Sequence, residues 1–347
     1  MRNPHTKKSL TVFTVITLAL VLSLAYGHSG IQLAGLQLAN PGNTVAAASV
    51  VQNTGVTLPK TNIYVLNSDN TIFILTPGTL SFRQLVRVNQ VRGNLIGIDF
   101  RPADATGNTV YGLTDTGNLY TINLTPPNLG AATLVSTLTT RFAGGFQSLM
   151  DFNPVVNALR LIGSNDQNFA LVNSGGNLNV TAAQTSMTYA AGDANAGVDP
   201  SVSAGTYTNN IPGAPNTLFY GIDYDLDTLV TIATVNATGS SNTGGGQLKT
   251  IGPIVDSSGR RTNFSPTADL DIYTDSNGIN SLVGVNGRML FTLDLAQINP
   301  SLALGATQNI VVKSILLDEL KNSIDIALST VPPAFVRKGI FSFDNRR

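Results

Sequence analysis

The stretch "LIGIDFRPADATGNTVYGLTDTGNLYTINL", residues 95–124, contains three short apolar runs separated by turn-forming residues. Val, Ile, Tyr and Thr within the runs suit the pleated surface of a sheet, whereas Asp, Asn and Gly between them supply tight turns. A fourth run, "ATLVSTL", follows at 132–138. We therefore expect four consecutive antiparallel strands joined by hairpins.

The same arrangement returns three times further along the chain. The later first runs are "FQSLMDFNP" at 146–154, "SVSAGTYTNN" at 201–210 and "TADLDIYTD" at 267–275, and each precedes further apolar runs. The residues that match Asp99 follow at intervals of 52, 55, 65 and 54 positions and are Asp151, Thr206, Asp271 and Asp325. A four-stranded unit repeated at this loose period is typical of a β-propeller blade.

The two ends of the repeat region complement each other. Residues 63–88 supply only three strands, and "NSIDIALST" at 322–330 resembles a first strand with no unit after it. Pairing the C-terminal strand with the N-terminal blade would close the ring and remove exposed sheet edges. We therefore predict an all-β propeller of four-stranded antiparallel blades, with five blades, or six if residues 181–215 hold another small sheet.

Other architectures are open at this point. An antiparallel sandwich and a β-solenoid also contain many short strands. The segment "KSILLDELKNSI", residues 313–324, has the apolar spacing of an amphipathic surface helix. We therefore expect one helix before the closing strand.

The first residues have the pattern of an export signal. Arg2, Lys7 and Lys8 precede an apolar run over 10–26, and small residues surround a cleavage site after Gly27. The segment "VAAAS" is a second candidate cleavage site. An uncleaved membrane anchor is the alternative, because the run has the length of a short membrane span.

These features divide the chain into four parts. They are a signal peptide or uncleaved anchor (1–27), an uncharged linker (28–59), the propeller domain (60–330) and a C-terminal tail (331–347). We expect a protein that is secreted, periplasmic or associated with the cell envelope, with no membrane span after signal cleavage.

The composition narrows the chemistry. The 347-residue chain has no Cys and 2 His, His5 and His28, both in the leader or at its edge. Ser-His-Asp hydrolysis needs an imidazole, and zinc, copper and haem sites draw on His or Cys. Because the predicted domain contains neither residue, its composition excludes these chemistries. Three of the 20 Lys and Arg residues lie in the leader, which leaves 17 against 20 acidic residues. A mildly acidic domain is not built to bind nucleic acid.

The aspartates of the first strands are candidate metal ligands. In a propeller these strands line the central channel, so Asp99, Asp151, Asp269, Asp271 and Asp325 are expected to converge there. Ca²⁺ takes about six to eight oxygen ligands and is the candidate cofactor. In the competing interpretation, each aspartate bonds turn amides in its own blade and recurs because the blade recurs.

The insertion "AAGDANAGVDPSV", residues 190–202, is the candidate ligand-binding loop. Loops on a rigid scaffold often carry binding residues. We expect Asp193, Asn195 and Asp199, with Tyr207 and Asn209 just beyond, to line a pocket at the channel mouth. A rigid connection between blades is the alternative interpretation.

The segment "GIDYDLDT" carries Asp223, Asp225 and Asp227 at alternate positions. It resembles the beginning of a Ca²⁺ loop, but no Gly at the sixth position and no Glu at the twelfth follow. We interpret it as a solvated turn.

Several of these motifs together resemble one family. They are "GIDFRP" at 97–102, "LTDTGNLYTINLTP" at 113–126, "MDFNP" at 150–154, "YAAGDANAGVDP" at 189–200, and "SAGTYTNN" with "NTLFYGIDYDLDTLVTI" within 203–232. They are similar to the secreted bacterial β-propeller family known as domain of unknown function 4394, over about residues 60–328. The resemblance implies a propeller in an extracytoplasmic protein and implies no activity, because the family has none assigned.

The expected function is a non-catalytic binding or scaffold domain outside the cytoplasm, with an unidentified protein, glycan or small molecule as its partner. The alternative is a Ca²⁺-assisted hydrolase of a lactone, ester or glycan that uses the channel aspartates. Propeller hydrolases of the lactonase kind tend to place Glu beside Asp and Asn at the ion. The sole glutamate of this chain, Glu319, lies in no blade motif.

Overall fold

The computed structural model describes residues 55–76, 82–104, 106–174 and 177–330. The predicted signal peptide (1–27), the predicted tail (331–347) and the predicted linker up to residue 54 lie outside these described residues. Within them the chain forms β-strands and three short 3-10 helices, with no α-helix. The strands are β1 (Ile63–Asn67), β2 (Thr71–Leu75), β3 (Phe82–Arg87), β4 (Leu95–Asp99), β5 (Thr109–Thr114), β6 (Asn118–Asn123), β7 (Ala132–Thr137), β8 (Ser148–Asn153), β9 (Ala158–Gly163), β10 (Asn168–Ser174), β11 (Asn177–Ala183), β12 (Thr188–Tyr189), β13 (Val202–Tyr207), β14 (Phe219–Asp223), β15 (Thr228–Ile232), β16 (Gln247–Val255), β17 (Asp269–Thr274), β18 (Asn280–Asn286), β19 (Met289–Leu293), β20 (Ile310–Leu316) and β21 (Ser323–Leu328).

Strands that follow each other in sequence pair antiparallel in three separate four-stranded sheets. Two of these sheets have the orders β4-β5-β6-β7 and β8-β9-β10-β11. The third has the order β21-β1-β2-β3, so that β21 from the C-terminal part pairs with β1, with Val65 opposite Ile326. The expected all-β class is therefore confirmed, and segments 63–88 and 322–330 share one sheet.

A nine-stranded sheet contains the remaining strands. It consists of two antiparallel runs, β13-β14-β15-β16 and β17-β18-β19-β20, joined by a two-residue parallel contact in which Ile254 lies opposite Ile310. The short strand β12 pairs with β16 in parallel. Residues 181–215 of the described chain therefore contribute to this sheet and to β11, and form no additional sheet there.

The helix expected over 313–324 is wrong. Residues Ile310–Leu316 form β20, whose register places Leu293 opposite Val312 and Met289 opposite Leu316. A single 3-10 turn over Asp318–Leu320 then leads into β21. Pairing with β19 satisfies the backbone groups of this segment, and tertiary pairing of this kind overrides local helical spacing.

The first strand of each four-stranded run pairs along one edge only, and its second edge has no strand partner in the same sheet. We call these five strands the inner strands: β4, β8, β13, β17 and β21. Their residues are buried throughout. β4 lies beside β8, β8 beside β13, β13 beside β17, β17 beside β21, and β21 beside β4. The inner strands of different sheets are therefore the elements that bring distant parts of the sequence together.

The core consists of five apolar clusters, each shared between two consecutive four-stranded runs. Ile98 and Leu66 belong to one cluster, for example, although they lie in different sheets. Another cluster joins the last run to the first sheet and contains Val283 with Ile326. Apolar side chains therefore pack between the faces of neighbouring sheets, which is the arrangement that buries both faces of each sheet.

One turn recurs in every four-stranded run. The turn between the second and third strands holds a residue with left-handed backbone each time, and these residues are Asn70 (φ 60), Gly117 (φ 77), Asp166 (φ 63), Asp227 (φ 49) and Gly287 (φ 54). Gly, Asn and Asp are the residues that adopt this conformation most readily. The sequence repeat thus has a matching backbone repeat.

Candidate functional site

The five candidate metal ligands all lie on inner strands. Asp99 is on β4, Asp151 on β8, Asp269 and Asp271 on β17, and Asp325 on β21. Their exposed fractions are only 0 to 3%. The structure therefore brings the predicted residues together in the protein interior, away from solvent.

Two of these carboxylates accept backbone amides across neighbouring sheets. Asp99 Oδ2 accepts from Phe152 N at 2.6 Å, which links β4 to β8. Asp325 Oδ1 accepts from Ile98 N at 3.0 Å, which links β21 to β4. Each bond satisfies an amide on the edge of an inner strand that has no ladder partner.

The two aspartates of β17 make the same kind of link to β21. Asp269 Oδ2 accepts from Ile326 N at 3.2 Å, and Asp271 Oδ2 accepts from Leu328 N at 2.5 Å. On its other side, Asp271 Oδ1 accepts the hydroxyl of Thr206 on β13 at 3.2 Å. Side-chain bonds therefore connect inner strands that lie next to each other.

The interpretation that each aspartate bonds only turn amides of its own blade is wrong for these residues. Asp99 and Asp271 do accept the amide of the residue that follows them. Their second oxygens, however, reach the next sheet. The physical reason is that the unpaired amides of an edge strand need acceptors, and a neighbouring aspartate supplies one.

Three carboxylate oxygens in this group have no hydrogen-bond partner although they are buried. They are Asp151 Oδ1, Asp269 Oδ1 and Asp325 Oδ2. Among the described residues, the ion pairs are Arg260 with Asp256 and Arg288 with Asp318, and neither involves a buried group. No side-chain cation therefore neutralises the buried carboxylates in the described part of the chain.

Burial raises the pKa of every member of the group, and repulsion from neighbouring carboxylates raises it further for all of them except Asp271. Burial and then the charge of Asp271 raise the pKa of Asp99. For Asp151 the pKa rises through burial and then through the charge of Asp99. The pKa of Asp269 rises chiefly through burial, and that of Asp325 through burial and the charge of Asp269. Burial raises the pKa of Asp271 to about 7.

A smaller set within this group has the spacing of a metal site. Asp99, Asp151 and Asp271 each offer one oxygen, and these three oxygens lie within 4.8 Å of one another. Two oxygens on opposite sides of a Ca²⁺ ion lie about 4.8 Å apart, because the Ca²⁺ to oxygen distance is about 2.4 Å. The donor set, all oxygen and acidic, suits a hard cation.

The candidate ligand-binding loop is held onto the sheet by its own polar residues. Asp193, only 7% exposed, accepts from Thr250 N at 2.8 Å and from Thr250 Oγ1 at 2.7 Å. Asn195 donates to Thr250 Oγ1 at 2.9 Å. These two residues fasten the loop to β16, which agrees with the rigid-connection interpretation.

The other three candidates of this loop region are spread apart. Tyr207 is 0% exposed and its hydroxyl bonds Thr243 at 2.8 Å, so the expectation that it lines an open pocket is wrong. Large aromatic side chains are commonly placed in the core, and Tyr207 packs edge-on against Phe219. Asn209 exchanges hydrogen bonds with Asn280. Asp199 alone is exposed, and its role in binding stays a prediction.

A second acidic group lies around the turn at Asp166. Burial and then the charge of Asp199 raise the pKa of Asp166 to about 6. Asp223 lies nearby and is 0% exposed, with its Oδ2 accepting from Tyr189 at 2.7 Å. The interpretation of Asp223 as part of a solvated turn is therefore wrong. No sequence signal links Asp166 to Asp199, since they lie on different inter-strand segments.

Two surface depressions occur elsewhere on the described surface. One, of about 400 Å³, is lined by Asp115, Thr116 and Gly117 on one side and by a second segment that includes Leu138 and Arg141. The other, of about 170 Å³, lies beside β20 and includes Lys313. Neither contains any of the ten candidate residues.

The fold and the buried acidic group define a class, an all-β repeat protein of antiparallel sheets joined at their inner strands. The chain belongs to the family described as Domain of unknown function (DUF4394), whose model matches residues 71–310. This match confirms the family that the sequence motifs resembled.

A solved structure is also similar to the chain. It is that of a protein of unknown function from Bacteroides caccae, at 10% sequence identity and a TM-score of 0.36, covering 78% of this chain and 98% of that chain. No curated protein matches the chain.

Proposed function

We propose that the protein is a five-bladed β-propeller that serves as a non-catalytic binding or scaffold domain outside the cytoplasm. Five four-stranded runs, five apolar clusters between consecutive runs and five equivalent turns support this blade count. The pairing of β21 with β1 would close the ring, and a closed ring leaves no open sheet face between the first and last blades. The extracytoplasmic location rests on the charge pattern and apolar run of the leader.

The observation that carries a non-catalytic role is the burial of the central carboxylates. A catalytic acid or base must reach the substrate, either directly or through one water. Asp99, Asp151 and Asp271 are 2 to 3% exposed, and the oxygens of Asp99 and Asp271 are occupied by backbone amides. This arrangement supports a structural role for the group and weighs against the alternative, a Ca²⁺-assisted hydrolase.

The partner-binding surface is best sought at the end of the sheets that carries the 190–202 loop. Thr250 fixes this loop through Asp193 and Asn195, so that the exposed side chains of Val198 and Asp199 are presented by a firmly held loop. A pre-organised loop binds with less loss of conformational entropy. The partner is an unidentified protein, glycan or small molecule. No helix in the described ranges is long and apolar enough to cross a membrane.

Turnover assays test the non-catalytic part of this proposal. The purified chain would be incubated with panels of lactones, aryl esters and glycans, each with added Ca²⁺ and each with chelator. We expect no turnover above that of the Asp151→Asn variant under any condition. Turnover that the Asp151→Asn variant loses, while Asp318→Asn retains it, would contradict the proposal and favour the hydrolase.

Binding assays test the loop. The chain would be applied to immobilised glycan and peptide panels, and the Asp199→Ala variant compared with Asp104→Ala, an aspartate in the turn between β4 and β5. We expect binding to at least one panel member, with at least a tenfold loss in Asp199→Ala and none in Asp104→Ala. If both variants bind as the parent chain does, the loop is not the binding surface.

A further inference from the structure

The strongest unexplained feature of the interior is Asp151. This aspartate is 3% exposed, and its Oδ1 has no hydrogen-bond partner. An unpartnered buried polar atom costs free energy, and an unpartnered carboxylate costs much more than a neutral group. A bound ion or water is one explanation for such an atom in a native interior, and in the described part of the chain no protein donor satisfies it.

The surroundings of Asp151 supply donors for a cation and no cation of their own. Oxygens of Asp99 and Asp271 lie within 4.8 Å of each other and of an oxygen of Asp151. The hydroxyl of Thr206, which is 0% exposed, lies against both Asp151 and Asp271. Since one hydroxyl donates one proton, Thr206 cannot serve both carboxylates at once.

The charge balance of the site also favours a bound cation. Three carboxylates held this closely cannot all be ionised in a buried site unless a positive charge lies among them. The backbone amides of Phe100, Phe152 and Leu328 offset part of the charge on Asp99 and Asp271. Asp151 accepts no backbone amide among the described hydrogen bonds, which leaves its charge the least compensated.

We propose that one divalent cation of the Ca²⁺ type binds between Asp99, Asp151 and Asp271, with Thr206 contributing its hydroxyl oxygen. The ion links β4, β8, β13 and β17 at the point where these inner strands meet. Its role is structural, because the site is closed to substrate. Ca²⁺ is favoured over Mg²⁺ because Mg²⁺ demands near-octahedral geometry at about 2.0–2.1 Å and gives up its water reluctantly.

Because the proposed site is buried, the test adds and removes the cation by unfolding and refolding the chain. The full chain would be unfolded in guanidinium chloride with chelator. It would then be refolded by dilution into buffer that contains about 1 mM Ca²⁺, about 1 mM Mg²⁺ or chelator. Extracellular modules bind Ca²⁺ at concentrations of about this size. After desalting, the metal content would be measured by atomic emission and the melting temperature by calorimetry. The variants are Asp151→Asn and, as a matched control, Asp223→Asn, which alters another fully buried aspartate.

The expected result is one Ca²⁺ per chain, a higher melting temperature after refolding with Ca²⁺ than with chelator, and little bound Mg²⁺. The Asp223→Asn variant should retain the ion, whereas Asp151→Asn should lose at least nine tenths of it. Refolded chain without bound Ca²⁺ overturns the proposal, as does full occupancy in Asp151→Asn.

A second measurement decides the matter if the chain or a variant does not refold. The native chain, purified without chelator from cells supplied with Ca²⁺, would be weighed by mass spectrometry under non-denaturing conditions. A mass increase of one Ca²⁺ supports the site. A mass equal to that of the bare chain overturns it.

Discussion

At the scale of single residues, the inner-strand aspartates supply hydrogen-bond acceptors to backbone amides, as a neighbouring strand does elsewhere in a sheet. Asp99, Asp269, Asp271 and Asp325 each accept an amide from a different sheet. These bonds join segments more than 50 positions apart and use groups that a strand edge would otherwise leave unpaired. The repeat of Asp at these positions therefore has a structural cause that does not depend on any ligand.

The Asp99 acceptor can be separated from the Asp99 charge by a pair of substitutions. Asp99→Ala removes both, whereas Asp99→Asn keeps one acceptor oxygen. We expect Asp99→Ala to lower the free energy of unfolding by about 1–3 kcal/mol relative to Asp99→Asn, because the buried amide of Phe152 is left unpaired. Denaturant titration in the presence of chelator measures this difference. Equal stabilities for the two variants would show that the acceptor contributes nothing.

The carboxyl pair of Asp166 and Asp199 has a direct spectroscopic test. A ¹³C NMR titration should place the pKa of Asp166 at about 6, and Asp199→Asn should lower it towards 3.8, because the repelling charge is removed. Since the folded chain holds this proton more tightly than the unfolded chain, Asp166 makes the fold less stable as the pH rises from 3.8 to about 6. An unchanged pKa in the Asp199→Asn variant would mean that burial alone causes the shift.

The sequence predicted that the aspartates converge, but it did not predict that Tyr207, just beyond the loop, is buried. The repeat places Asp99, Asp151 and Asp271 at equivalent points of first strands, and in the structure one oxygen of each lies within 4.8 Å of the other two. Tyr207 carries no such signal, since its burial depends on packing against Phe219 and bonding to Thr243. Those contacts are long-range and are invisible in local pattern.

At the scale of elements, a residue with left-handed backbone recurs in the turn that joins the second and third strands of each run. Gly117 occupies this position in one sheet, and Asn70 occupies it in another. A Cβ on Gly117 would meet only Leu138, at an ordinary contact distance of 3.6 Å. Backbone strain, and not crowding, therefore decides what the position tolerates.

Substitutions at Gly117 test this account of the turn. Gly117→Ala should lower the free energy of unfolding by about 1–2 kcal/mol, the usual cost of left-handed backbone for an L-residue. Gly117→Asn should cost less, since Asn tolerates this conformation and stands at the same turn position in Asn70. Thermal unfolding of the two variants provides the comparison. A larger loss for Asn than for Ala would mean that side-chain size controls the position.

The strands of the repeat were predictable and the segment before the last strand was not. Alternating apolar residues bounded by Asp, Asn and Gly mark β4 to β7 clearly, because both signals are local. The segment 313–324 carries apolar residues at helical spacing, yet its first part pairs with β19 as β20. A partner strand elsewhere in the sequence, and not local propensity, decided that element.

At the scale of the whole molecule, the first and last strands of the described chain pair with each other. β21 pairs with β1 over residues 63–67, and Asp325 bonds the amide of Ile98 in the next sheet. Incomplete units at the two ends of the repeat pointed to this pairing. The pairing of these two segments was predictable because each was an incomplete unit, whereas the links between inner strands follow only from three-dimensional packing.

One disulfide measurement tests the proposed ring closure most directly. The chain has no natural Cys, so a Val65→Cys, Ile326→Cys variant would carry a single pair at positions that lie opposite each other in the β1–β21 register. Directly opposed residues place their Cβ atoms about 4.5–5.5 Å apart, which small adjustments bring within disulfide range. The control variant combines Val65→Cys with Val230→Cys on β15. We predict near-complete intramolecular disulfide formation in the first variant under mild oxidation of the folded chain, and none in the control. A first variant that stays reduced while folded, or a control that crosslinks equally well, would contradict the closed five-bladed ring.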